Sequence, residues 1–170
     1  VGSSTNTSPI IISENLQTTS GNIELLTSGA IGKTTTTTLT AAADLVATSR
    51  SSSIDMGSGA VSAANVRISP STTYAGSAPL TASNGVISIT GGSTVTLTGA
   101  LQATGNITLS GSGNFSNSTT ITSSGGNVGI TTSGTATVIP AGNIQSTLGS
   151  ITVNSAGAYS GAGTLTAGTT

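Results

Sequence analysis

The sequence predicts an all-β protein, a parallel β-helix (β-solenoid) of about seven coils of about 21 residues each. Three observations lead there: an apolar motif that recurs along the chain, period-two apolar alternation between its copies, and a nearly uncharged Ser/Thr/Gly background.

The motif is a small residue, a turn former, then apolar, any, apolar. It appears as GNIEL (21–25), ADLVA (43–47), ANVRI (64–68), GNITL (105–109), GNVGI (126–130) and GSITV (149–153). Its second positions, Asn22, Asp44, Asn65, Asn106, Asn127 and Ser150, lie 22, 21, 41, 21 and 23 residues apart, and NGVISI (84–89) divides the long interval in two. Asn and Asp tolerate turn conformations and bond nearby backbone, so stacked copies at the rung spacing form a turn ladder. The apolar positions that follow predict the inward-facing core: Ile23, Leu25, Leu45, Val66, Ile68, Ile107, Leu109, Val128, Ile130, Ile151 and Val153.

Between the anchors lie second alternations, TTTLT (36–40), SIDMG (53–57), TVTLT (94–98) and TATVI (135–139), and weaker third ones, TTITS (119–123) and GTLTA (163–167). Runs this short, bounded by Gly, Ser and Asn, read as strands and turns. One such coil cannot bury its own apolar face, so coils stack. Residues 21–170 are assigned to the β-helix and residues 1–20 to an N-terminal cap or inter-subunit strand.

Composition narrows the function. Charged residues make up 4% of the chain, the net charge is -1, and no charge occurs after Arg67. Nucleic acid and anionic lipid need clustered Lys and Arg, so neither is expected as a partner. A membrane-spanning segment would need roughly 18 consecutive apolar residues, and none is present. Near-neutral surfaces self-associate, which makes other copies of the chain the expected partner. The chain lacks His and Cys, and its four carboxylates are Glu14, Glu24, Asp44 and Asp55. No cofactor, metal site or catalytic residue is therefore expected. Asp44 sits in the turn column, and Lys33, Arg50 and Arg67 read as solubilising surface charge. Without an aromatic or charged cluster, the sequence names no surface or glycan receptor.

The GNITL and GNVGI motifs, with their recurrence and Ser/Thr/Gly/Ala/Asn background, resemble the filamentous haemagglutinin family of bacterial surface proteins over about residues 21–170. The resemblance implies a right-handed β-helix, export to the cell surface, and roles in adhesion or biofilm. Those adhesins are far longer and carry a secretion domain ahead of the shaft, which residues 1–20 do not resemble. The expected role is thus a structural subunit of an extracellular filament or adhesin shaft. Copies would join head to tail by rung stacking through Ile10, Ile11, Ile12, Leu165 and Thr166.

Two rival readings remain. An ice-binding solenoid would align outward residues in one column, Thr38 and Thr40, Ser53 and Asp55, Thr94 and Thr96, Asn114 and Ser116, Thr135 and Thr137. A donor-strand pilin with an Ig-like sandwich would use residues 8–16 as the donated strand. Asn-x-Ser/Thr sequons occur at Asn6, Asn106, Asn114 and Asn117.

Overall fold

Branched and aliphatic residues at every second position favour the pleated backbone, and their Gly, Ser and Asn borders stop each run after a few residues. The computed structural model describes residues 2–3, 5–34 and 36–168, and among them every regular element is a strand.

The first coil holds β1 (Ile10–Ile12), β2 (Leu16–Gln17) and β3 (Ile23–Thr27), and the second β4 (Ile31–Lys33), β5 (Leu39–Thr40) and β6 (Asp44–Ser49). The third is β7 (Ile54–Asp55), β8 (Val61–Ala63) and β9 (Asn65–Ser69); the fourth is β10 (Thr73–Gly76), β11 (Leu80–Ala82) and β12 (Ile87–Thr90). β13 (Thr94–Leu97), β14 (Leu101–Ala103) and β15 (Ile107–Gly111) form the fifth, and β16 (Phe115–Asn117), β17 (Ile121–Ser123) and β18 (Val128–Thr132) the sixth. The seventh comprises β19 (Val138–Pro140), β20 (Ile144–Ser146) and β21 (Ile151–Ser155), and β22 (Leu165–Ala167) starts an eighth.

Taking every third strand gives three parallel sheets: β1-β4-β7-β10-β13-β16-β19, β2-β5-β8-β11-β14-β17-β20-β22, and β3-β6-β9-β12-β15-β18-β21. The chain is thus a parallel β-solenoid with a three-sided coil. Its all-parallel pairing excludes the antiparallel Ig-like sandwich, because each strand bonds to the strand one coil away and none to its chain neighbour. β1 pairs with β4 and β2 with β5, so the sequence boundary at residue 21 falls inside the first coil.

The third sheet carries the motif in register: Ile23 over Leu45, then Val66, Ile87, Ile107, Val128 and Ile151. Most of this column and its companion are buried, whereas Ile151 and Val153 at the last rung are half-buried and pack on the core from its edge. The other two sheets add Ile31, Ile54, Tyr74, Val95, Phe115 and Val138 on one side and Leu39, Val61, Leu80, Leu101, Ile121 and Ile144 on the other. Each fully buried aliphatic side chain stabilises the rod by ~1.5–3 kcal/mol relative to exposure.

Candidate functional site

The recurring turn column forms two runs of hydrogen bonds along the rod. The Asp44 amide donates to Asn22 Oδ1 (3.0 Å), Asn65 Nδ2 donates to Asp44 Oδ1 (2.8 Å), and the Val86 amide donates to Asn65 Oδ1 (2.9 Å). Val86 has no side-chain acceptor, so the first run stops there. A second run starts at Asn106, whose Oδ1 accepts the Asn127 amide (2.8 Å), and Asn127 Oδ1 accepts the Ser150 amide (2.8 Å) and hydroxyl (3.2 Å). Side-chain carbonyls thereby cap corner amides that no strand partner reaches.

The glycines before Asn127 and Ser150 have a steric cause. A Cβ on Gly126 would come within 2.5 Å of Asn106 N and Oδ1, and one on Gly149 within 2.5 Å of Asn127 Oδ1. The same device recurs at other corners, where Asn15, Asn114 and Asn143 accept the amides of Thr38, Thr137 and Thr164. Each reaches the amide 23, 23 or 21 residues on, which is one coil away. Asn117 is a different case. Its side chain is buried and donates to Thr119 O (2.7 Å), which removes that sequon as a glycan acceptor.

The charged residues stand apart. Arg67 pairs with Asp44 across 3.5 Å on the outer face of the third sheet. Glu24 stands over Val46 in register, one pleat from Asp44. Lys33 departs from the expected surface role. It is buried, and Nζ donates to the carbonyls of Thr37 and Gly59. Burial lowers its pKa, while the Asp55 carboxylate acts in the opposite direction. β4 alternates in, out, in, so its third residue enters the core whatever its polarity, and the nearby corner supplies the acceptors. Among the described residues no three His, Cys, Asp or Glu side chains gather closely enough to hold a metal ion.

No family model, curated protein or solved structure matches this chain.

The ice-binding column does not assemble as expected. Thr40 lies on β5 in the second sheet, whereas Asp55, Thr94, Thr96 and Ser116 lie in the first. The outward positions of the first sheet run Ile11, Gly32, Asp55, Ala75, Thr96, Ser116 and Ile139. The apolar threonine-flanked run at 36–40 belongs to the side of the coil already occupied by TTITS and GTLTA.

Of the residues expected at subunit junctions, Ile12 is buried inside the first coil, whereas Ile10 is half-buried and packs on the core from the edge strand of its sheet. Ile11 faces outward at 62% exposure. Leu165 stacks over Ile144 and stays 44% exposed, and Thr166 is exposed over Gln145. The Ile144 amide donates to Thr164 O and the Gly168 amide to Ser146 O, so even-numbered residues of β22 turn their backbone toward β20. By strand alternation, Leu165 and Ala167 direct their amides to the open edge.

Proposed function

We propose that this chain is a rod-forming structural subunit of an extracellular filament or adhesin shaft, extended head to tail by rung stacking. The observation that carries the reading is rung repetition. From coil to coil the chain packs one rung on the next along the same inward columns, with a corner ladder in two runs. Another copy presents the same kind of surface, and the scarcity of charge leaves little repulsion across the contact. Leu165, half-buried Ile151 and Val153, and the outer edge of β22 offer one stacking face; Ile10 and Leu16 offer the other. The resemblance to filamentous haemagglutinins in GNITL and GNVGI supports a bacterial surface setting and a role in attachment or biofilm.

Negative-stain microscopy of the purified chain tests this. Expected are unbranched filaments whose subunit rise is roughly 38 Å, the second sheet's eight strands at about 4.8 Å each. Ala167→Pro, which removes an edge-directed amide without touching the bonds to β20, is expected to stop growth and leave β-rich monomers. Dispersed rods at high concentration from the unaltered chain would overturn the proposal.

A further inference from the structure

The chain's only glutamines, Gln17, Gln102 and Gln145, occupy one structural column. All three are exposed at the outward position of the second sheet, in a column continued by Thr40, Ser62, Thr81, Thr122 and Thr166. None of the seven charged residues lies in this column. At its centre a groove of about 240 Å³ runs across three rungs. One wall is Thr81, Gln102 and Thr122; the other is Ser83, Thr104 and Ser124; Ala82 and Ala103 form the floor.

The wall groups keep hydrogen-bonding capacity to spare. Ser83 and Ser124 direct their hydroxyls to carbonyls of the preceding coil at 3.3 and 3.4 Å, which leaves their oxygens able to accept. The side chains of Thr81, Gln102, Thr104 and Thr122 have no hydrogen-bond partner among the described residues. Each carries both donor and acceptor capacity, repeated at the rung spacing of ~4.8 Å. A polyanion would need cations here, a lipid an apolar surface, and a peptide strand an open sheet edge. A linear neutral polysaccharide needs none of these. Its hydroxyls both donate and accept, and an extended β-linked hexose chain advances by about one rung per sugar.

We infer that the second sheet's outer face is a binding groove for a neutral, extended β-linked glycan lying along the rod axis. Hydrogen bonds exchanged with water contribute little each, so affinity grows with the number of rungs engaged. This goes beyond the shaft reading and holds whether or not copies polymerise.

The test is co-sedimentation with microcrystalline cellulose, corrected by a blank without cellulose for material that pellets by itself. The unaltered chain is expected to bind equally at low and high salt. The double variant Gln102→Ala/Gln145→Ala should bind about tenfold more weakly, the scale of one or two lost net hydrogen bonds, at unchanged melting temperature. Thr96→Ala, on the first sheet, should bind as the unaltered chain does. Failure to bind, undiminished binding by the double variant, or equal loss in Thr96→Ala would overturn the inference. So would binding to alginate alone that salt abolishes. Cellulose-independent pelleting that the double variant abolishes, without cellulose binding, would instead make this face a lateral contact between copies.

Discussion

Tyr74 enters the core from β10 at 1% exposure, and its hydroxyl has no hydrogen-bond partner. The ring occupies the space a side chain at position 76 would take, since a Cβ on Gly76 would meet the ring at 2.6 Å. An unmatched buried hydroxyl costs about 1–3 kcal/mol. Tyr74→Phe keeps the ring and removes that cost, so the variant is expected to be more stable by about 1 kcal/mol, read by thermal or chemical denaturation. Burial also raises the phenol's pKa above its ordinary 10.0, with the Asp55 carboxylate adding to the effect. Above pH 10 an unfolded chain releases this proton while the folded chain keeps it, so stability contributed here is lost as the pH climbs past 10. Tyr74→Phe should flatten that alkaline loss, and an identical pH profile would show that Tyr74 is ionised as easily folded as unfolded.

At the scale of a strand, register decides which face is buried. Ile107 and Leu109 on β15 are buried and Thr108 between them is exposed. Ile107→Asp places an uncompensated carboxylate in the core and is expected to cost more than about 4 kcal/mol, whereas Thr108→Asp should stay within about 0.5 kcal/mol. Equal melting temperatures for the two variants would refute this register. The third sheet was the most legible in sequence, because its strands are long enough to show two inward residues after an Asn or Asp. The second sheet was harder to see. Its strands show a single large apolar residue followed two positions later by Ala or Ser, as in AVSA (60–63), PLTA (79–82), ALQA (100–103) and NIQS (143–146). So short a pattern is weak until its copies are aligned, which is why TTTLT groups by sequence with SIDMG and TVTLT although β5 lies in the second sheet.

Across the whole molecule, each coil touches mainly its neighbours, so stability should follow a nearest-neighbour rule. Excising residues 107–127 joins Asn106 to Val128 and brings Val128 into the register position of Ile107, Val138 into that of Phe115, and Ile144 into that of Ile121. The ladder also closes, because Ser150 then follows Asn106 as it now follows Asn127. The shortened chain is expected to fold with a single transition and a melting temperature lower by a few degrees, as one interface is lost. Collapse into an unfolded or aggregated state, followed by circular dichroism and size-exclusion chromatography, would contradict independent coils.

The sequence by itself determined the coil length, the parallel stacking and the third-sheet core, because these follow from residue spacing and every coil repeats the same local requirements. It also located the turn column, since Asn and Asp are selected there by the backbone amides they cap. Tertiary structure decided what spacing cannot express: three faces to each coil, the burial of Lys33 and Asn117, and the entry of residues 10–17 into the first coil. Those outcomes depend on which corner carbonyls lie within reach and where each short strand meets the strand one coil away. The gathering of Gln17, Gln102 and Gln145 onto one face was decided there too, because residues 85 and 43 positions apart fall into one column, four and two rungs from each other, only when the coil closes.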